Sequence, residues 1–320
     1  MSELIKKVYC LTPVYNDWDS LKILLDHIEL IQHSLPQHIA LSLVAIDDGS
    51  TEESDLDIHA FNMPIKIVNL KVNIGHQRAI AVGLQYINKE INDCDYILVL
   101  DGDGEDKPED IPTLIEKCLS HQSDKIIFAQ RQKRQESLLF KTGYFFYKYL
   151  FCFLTGQEIN FGNFSIIPKR LLGKVVHQNN IWNHYSGSII QSKIPFDKVL
   201  LDRGKRYRGA SKMNFNNLII HGLSSIAVYF DYLSIRILRL SLYGIAICML
   251  SVFFVLGKKA FTDDVVPGWA SSLILIISGI ILQLFSVTLI VLLLQLSTRK
   301  NIVAPNANIY IDFIENIESN

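Results

Sequence analysis

The chain is poor in several features that would assign it quickly. It has only five cysteines in 320 residues, Cys10, Cys94, Cys118, Cys152 and Cys248, all far apart. No C-x-x-C pair exists, which argues against a disulfide framework and against a zinc site, and fits a reducing compartment. It lacks a charge excess, with a formal net charge of -1, so no polyanion attraction and no nucleic-acid partner is implied. It lacks a signal peptide, because the apolar run after Lys6 and Lys7 is broken at once by Thr12-Pro13 and Asn16-Asp17. No G-x-x-x-x-G-K-[ST] occurs and no G-x-G-x-x-G follows the first apolar run, which disfavours a P-loop ATPase and a dinucleotide oxidoreductase.

Charge is also missing locally, and that absence is informative. Leu240 to Gly257 carries none, and neither does the stretch between Asp264 and Arg299, of which Trp269 to Leu296 is almost continuously apolar. A bilayer span takes roughly 20 such residues. The short polar link Lys258 to Gly268 makes the pair a helical hairpin with both ends on one side. Arg236 and Arg239 precede the first span, and Arg299 and Lys300 follow the second. The positive-inside rule then puts residues 1 to about 235 in the cytoplasm, as in an integral protein of a bacterial inner membrane. Just before the hairpin, Phe215, Leu218, Ile219, Leu223, Ile226, Phe230, Leu233 and Ile237 recur at helical steps. This predicts an interfacial amphipathic helix on the bilayer, leading straight into the first span. The expected division is a soluble domain over 1–212, the juxtamembrane helix over 213–237, a transmembrane hairpin over 238–298 with spans at about 239–257 and 269–296, and a cytoplasmic tail over 299–320.

What remains is β-rich runs alternating with helical patterns. Val8 to Thr12, Leu41 to Ile46, Ile65 to Leu70, Tyr96 to Leu100 and Ile126 to Ala129 read as strands. Leu21 to Gln32, Gln77 to Asn88, Pro108 to Leu119 and Leu138 to Leu154 read as helices. Such alternation predicts an α/β domain with a mainly parallel sheet. Ligands of such sheets bind at the carboxyl ends of strands. There the chain places Thr12-Pro13-Val14-Tyr15-Asn16-Asp17, Asp47-Asp48-Gly49-Ser50-Thr51 and Asp101-Gly102-Asp103-Gly104-Glu105-Asp106. Asp101 and Asp103 follow a buried strand and lie two apart, so both can reach one hard cation; oxygen ligands suit Mg2+ or Mn2+. A calcium loop starting at Asp101 fails, since its sixth and twelfth positions are Asp106 and Pro112. A basic cluster of Lys198, Arg203, Lys205, Arg206, Arg208 and Lys212 supplies phosphate clamps, a juxtamembrane patch for anionic lipid, or both. Arg131 and Arg134, just beyond the fifth strand, are further phosphate candidates.

Taken in order, T-P-V-Y-N-D, I-D-D-G-S-T, N-I-G-H-Q-R-A, L-D-G-D-G-E-D-K-P-E, A-Q-R-Q-K-R-Q-E-S and R-Y-R-G-A-S-K-M resemble glycosyltransferase family 2. The branch they resemble most is that of dolichol-phosphate mannose synthases and polyprenyl-phosphate glucosyltransferases, over about residues 8 to 300. The resemblance implies a nucleotide-diphospho-sugar transferase domain of the GT-A type and an inverting transfer. Pro13, Tyr15, Asp17 and Asp48 would then hold the nucleotide sugar, together with the Asp101-Gly102-Asp103 turn. Asp101, Asp103 and Glu105 would hold the metal and diphosphate. Arg131 would meet phosphate or acceptor, with Arg134 and Arg208 as further acceptor-phosphate candidates. Arg206 and Lys212 would belong to a mobile loop over the donor, so that Asp103, Arg131, Arg206 and Lys212 carry the catalysis. A homo-oligomer is compatible with the hairpin. Three departures from the family pattern stand out: Asp17 stands where Glu is usual, Glu105 replaces a usual Gln, and Gly162-Asn163-Phe164-Ser165 replaces a usual Phe-Arg pair.

The expected reaction moves a sugar from a nucleotide-diphospho-sugar to a polyprenyl phosphate, for a cell-envelope glycan. A hydroxyl acceptor would need a general base. The segment Ile181-Trp182-Asn183-His184-Tyr185-Ser186-Gly187 has no carboxylate, and His184 is its only candidate base. The rival readings are a transferase acting on a sugar or glycolipid hydroxyl, with His184 as base, and a non-catalytic membrane scaffold. Processive polysaccharide synthesis is disfavoured, since no Q-x-x-R-W motif occurs.

Overall fold

A computed structural model describes residues 5–131, 149, 152–153, 156, 161–208, 226–261, 268–300 and 306–320, with the backbone alone at 131, 161 and 298–300. The predicted helix over Leu138 to Leu154 falls mostly outside these residues. So do Arg134, Lys212 and the first half of the predicted amphipathic helix.

The chain forms two compact units, one of residues 1–143, 159–228 and 305–320, the other of 144–158 and 229–304. The first is built on eight strands: β1 (Lys6–Val14), β2 (Ile39–Asp47), β3 (Ile65–Leu70), β4 (Tyr96–Val99), β5 (Ile126–Arg131), β6 (Phe161–Pro168), β7 (Phe196–Leu201) and β8 (Ile314–Ser319). Their order across the sheet is β7-β5-β6-β4-β1-β2-β3-β8. β4, β1, β2 and β3 run parallel to one another, as do β5 and β7. β6 is antiparallel to both β4 and β5, and β8 is antiparallel to β3. The five strands read from sequence are present. The other three enter through tertiary pairing.

Helices α1 (Trp18–Ser34), α2 (His76–Glu90), α3 (Ile111–Ser120), α4 (Lys169–Val176) and α5 (Tyr185–Gln191) flank this sheet. Two apolar clusters result. One unites α2, α4 and α5 with Leu11, Val44, Ile97 and Phe128; the other unites α1 and α3 with Val8, Leu41, Leu98 and Ile127. Alternate residues of the central strands therefore serve opposite layers, as the period of two requires. Helix α2 lies very close to the sheet. A Cβ on Gly83 would come within 2.4 Å of Leu11 Cδ1 and 2.9 Å of Ile46 Cγ1. Gly83→Val should lower unfolding free energy by about 1–3 kcal/mol, read by chemical denaturation, because both contacted side chains are fully buried.

The C-terminal segment is part of this unit. Helix α8 (Tyr310–Phe313) leads into β8, and Asn320 closes it. The Asn320 side chain accepts from the Ile65 amide at 2.8 Å and donates to the Ile58, Phe61 and Met63 carbonyls. Gln85 is buried in α2 and its side-chain amide bonds to this segment, donating to the Asn306 carbonyl and accepting from the Tyr310 amide. The residues expected as a plain tail thus supply the sheet's last strand.

The second unit holds helices α6 (Phe230–Phe261) and α7 (Trp269–Lys300). Both are long and apolar enough to cross a membrane, and their most apolar windows are 11% and 0% buried, unlike a soluble core helix. They pack against each other, closely at Gly244, where a Cβ would lie 2.9 Å from Leu284 Cδ1. Within the same unit Gln295 donates to Asp231, and Arg236 donates to the carbonyl of Phe153. Helix α6 begins at Phe230, so the second half of the expected amphipathic helix is continuous with the first apolar span.

Candidate active site

Three turns leave the carboxyl ends of β1, β2 and β4, and hydrogen bonds tie them together. Asn16, at φ 48°, is the knot between the first two. Its amide donates to Ser50 Oγ at 2.9 Å, and its Oδ1 accepts from the amides of Thr51 and Glu52. Pro13 lies within β1, Asp17 caps α1 without a side-chain hydrogen bond, and Tyr15 is exposed beside them. Asn16 has no assigned role in the sequence reading, although an Asn at a strand-end turn is the residue best suited to a left-handed backbone.

Asp48 is 3% exposed. Its two carboxylate oxygens accept from the Ile74 and Gly75 amides, at 2.8 and 2.9 Å, and so pin the β3–α2 loop. Gly49, at φ 68°, lets that loop approach: a Cβ there would lie 2.6 Å from the Asn73 nitrogen. Burial pushes the Asp48 carboxyl above its ordinary range, against the two amides and His76.

The β4 turn carries the D-G-D motif. Asp106 is buried and accepts from the Asp101 amide at 3.0 Å, which closes the turn from within. Asp103 Oδ1 accepts from the Glu105 amide at 3.0 Å. Gly102 sits against Thr12 Oγ1 on β1, and Gly104, at φ 87°, leaves room for the Tyr207 ring, 2.7 Å from where a Cβ would be. That ring belongs to the segment after β7, which lies along the turn. Gly204 and Tyr207 donate their amides to the Glu105 and Asp103 carbonyls. Arg206 Nη2 is 2.8 Å from Asp103 Oδ2, and Arg203 pairs with Glu105. Arg208 pairs with Asp19 at 2.6 Å. Arg203 is absent from the residues singled out as catalytic in the sequence, whereas its neighbour in the cluster, Arg206, is among them.

Asp101 has its own cationic neighbour. His76 Nε2 is 3.2 Å from Asp101 Oδ1. Desolvation by the surrounding turns lowers the tendency of His76 to charge, although the side chain keeps an open face to solvent, but Asp101, with Asp103 and Asp48, outweighs it and raises its pKa above the ordinary histidine value. The structure therefore brings Asp101, Asp103, Glu105, Arg203, Arg206 and His76 to one strand-end turn. The Arg131 backbone ends β5, paired with Leu201.

A divalent cation needs hard oxygen donors, which Asp101 and Asp103 offer. Each of the three carboxylates already draws a cationic side chain, so the turn demands positive charge. Glu105 is turned to Arg203, and among the described residues no three acidic, His or Cys side chains are grouped closely enough to hold a metal ion. The D-G-D pair thus fits a hard cation by donor chemistry, while the arginines meet that demand here.

His184, the candidate base, caps α5. Its Nδ1 accepts from the Gly187 amide at 3.1 Å, and the residue is 6% exposed. Gly162-Asn163 of β6 lies beside Asp101, with Asn163 Nδ2 3.5 Å from its Oδ1.

A mostly parallel sheet with acidic turns gathered at its strand ends, a D-G-D motif after a buried strand and two apolar helices later in the chain define a GT-A-type nucleotide-sugar transferase. The profile of glycosyl transferase family 2 matches residues 9–180, and the chain belongs to that family; it is a glycosyltransferase. It is 27% identical over 275 residues to an uncharacterised glycosyltransferase of Synechocystis sp., covering 83% of this chain and 82% of that one. It is 35% identical over 144 residues to the undecaprenyl-phosphate 4-deoxy-4-formamido-L-arabinose transferase of Photorhabdus laumondii, covering 44% of this chain but only 42% of that relative. Among solved structures it is similar to mannosyl-3-phosphoglycerate synthase from Rubrobacter xylanophilus, with TM-score 0.51 and 13% identity over 70% of this chain and 72% of that one. It is also similar to glucosyl-3-phosphoglycerate synthase from Mycobacterium tuberculosis, solved with Mn2+, UDP and phosphoglyceric acid, with TM-score 0.50 and 15% identity over 71% and 78%. At these identities the two structures speak for the fold alone.

Proposed function

We propose that the chain carries out an inverting, metal-dependent transfer of a sugar from a nucleotide-diphospho-sugar to a polyprenyl phosphate, at the cytoplasmic face of a membrane. The observation that carries the acceptor is the state of His184. Its Nδ1 lone pair is spent on the Gly187 amide, so the neutral ring holds its proton on Nε2. It has no lone pair left to take a proton from a hydroxyl without giving up the helix cap. A phosphate acceptor is already ionised and asks for no base. The activity named for the Photorhabdus relative points the same way.

In this reading a phosphate oxygen attacks the anomeric carbon on the face opposite the diphosphate. The bond from that carbon to the diphosphate oxygen breaks, and the nucleoside diphosphate leaves with the electron pair. Pro13, Tyr15, Asp17 and Asp48 line the nucleotide side. Asp101 and Asp103 would hold Mg2+ or Mn2+, which when bound offsets charge on the leaving diphosphate as a Lewis acid. Arg203 and Arg206 exchange their carboxylate partners for phosphate oxygens. The buried Nε atoms of both, and the Tyr207 hydroxyl, have no partner among the described residues and are donors still to be used. Arg208, and by the sequence motifs Arg131, Arg134 and Lys212, would be further phosphate contacts. The chain leaves the catalytic unit near residue 228 and rejoins it near 305, so both hairpin ends issue from one unit, and basic residues flank both. That supports a cytoplasmic catalytic domain.

Membranes containing the protein, given labelled UDP- or GDP-sugars and polyprenyl phosphate, should yield labelled lipid that a chelator abolishes and Mg2+ or Mn2+ restores. His184→Ala should keep most of this activity, at a cost of about 1 kcal/mol of stability from the lost cap. No labelled lipid from any donor overturns the proposal; abolition by His184→Ala favours a hydroxyl acceptor.

A further inference from the structure

His76 opens α2 directly after the loop that Asp48 pins, and its ring stands beside the D-G-D turn. A directed chain of hydrogen bonds reaches it from α5. Gln77 Oε1 accepts from the Tyr185 amide at 2.7 Å. A backbone amide can only donate, so this end fixes the orientation of everything that follows. Gln77 Nε2 then donates to Asn163 Oδ1 at 3.2 Å. Asn163 is left with Nδ2 towards His76 Nε2, at 2.9 Å. In the neutral ring Nε2 is therefore an acceptor, and the proton sits on Nδ1. In the charged ring both nitrogens carry protons; Nε2 then donates to Asp101 Oδ1 at 3.2 Å, and Asn163 Nδ2, 3.5 Å from the same oxygen, donates there instead of to the ring. Nδ1 is a donor in either state.

Among the described residues Nδ1 has no hydrogen-bond partner, and the side chain is 43% exposed. A held ring with one unspent donor, next to the carboxylates that gather positive charge, complements an anionic oxygen. We infer that His76 is a phosphate-binding residue of the transfer site, donating from Nδ1 to a phosphate oxygen of a bound substrate, and that Gln77 and Asn163 are positioning residues that hold the ring. The inference rests on the nucleotide-sugar and lipid-phosphate reading above. Phosphate oxygens come to the site from two sources, the donor diphosphate and the acceptor phosphate, and the same N–H serves either.

The two ring nitrogens can be told apart by substitution in the full-length protein. His76→Asn places an amide N–H near the position of Nδ1–H, whereas His76→Gln places one near Nε2. With transfer followed against each substrate in turn, the Asn variant should stay within about 3-fold of wild type and the Gln variant should lose about 10- to 100-fold, the range for a hydrogen bond to a charged group. A rise in donor KM assigns the contact to the diphosphate; a rise in acceptor KM assigns it to the lipid phosphate. Asn163→Leu should fall towards the Gln variant with an unchanged thermal midpoint. Calorimetric binding of inorganic pyrophosphate and of a short-chain polyprenyl phosphate makes the same comparison without turnover. There the Gln variant should bind one of them at least about 10-fold more weakly than the Asn variant. Equal behaviour of the Asn and Gln variants in both assays overturns the role of His76. Absence of transfer by the wild type, with the Asn–Gln contrast intact in binding, overturns the lipid-transfer reading and leaves the phosphate contact standing.

Discussion

Asp103→Asn is expected to reduce sugar transfer by about 10²- to 10³-fold, the scale for losing one electrostatic group aimed at developing charge. The substitution is close to isosteric. An Asn Oδ1 still accepts from the Glu105 amide, so the turn keeps its shape. The negative charge that now holds Arg206 at 2.8 Å, and that would hold a divalent cation with the donor bound, is lost. Both side chains of that pair are less than a quarter exposed, so solvent replaces the missing charge poorly. The measurement is labelled sugar in a lipid extract, beside a thermal unfolding curve. Full activity with an unchanged curve would remove Asp103 from the reaction and revive the scaffold reading.

Asp48→Ala is expected to act on stability as well as on donor binding. It removes the acceptor of two backbone amides, Ile74 and Gly75, at a position 3% exposed to solvent. An amide left unpaired in such a place costs about 1–3 kcal/mol. Burying the carboxylate is itself unfavourable, as its raised pKa indicates, which offsets part of this. The net loss should be about 2–4 kcal/mol, or roughly 4–16 °C in thermal midpoint for a unit of this size. Asp48→Asn keeps one carbonyl acceptor and should cost less. An Ala variant that melts with the wild type would mean that the β3–α2 loop is held by other means. Donor KM should rise with the loss of the loop, because His76 and Asp101 lie at its far end.

The five strands and first three helices read from sequence follow from local rules. Their apolar residues form short continuous runs or recur at helical spacing, and each is bounded by a turn-forming segment. The acidic turns were legible for the same reason, since a ligand edge in a parallel sheet lies where strands end. The two apolar runs near the C-terminus were legible from length and lack of charge alone. β6, β7 and β8 were not. In Phe161–Pro168, Gly162 and Asn163 interrupt the pattern, and the strand exists because β4 and β5 each lack a neighbour on one side. Ile314–Ser319 carries two glutamates and a mostly exposed face, and reads as a tail until β3 offers its edge.

The candidate site divides the same way. Chain order was enough to place Asp101 and Asp103 together at a rigid strand end, because the two are neighbours along one backbone. It was also enough to put a cationic segment after them. Which arginine meets which carboxylate, and that Asn163 and Gln77 would orient His76, depended on residues some 80 to 110 positions apart arriving within hydrogen-bonding distance. His76 stood inside a quoted motif with no role, since a histidine's function lies in what its two nitrogens touch. The sequence by itself determined the alternating α/β layers, the acidic strand ends and the apolar pair, all of which are set by neighbours in the chain. Only the tertiary structure decided the antiparallel insertions, the returning last strand and the hydrogen-bond direction at His76, because each is set by partners the chain meets only once it has folded.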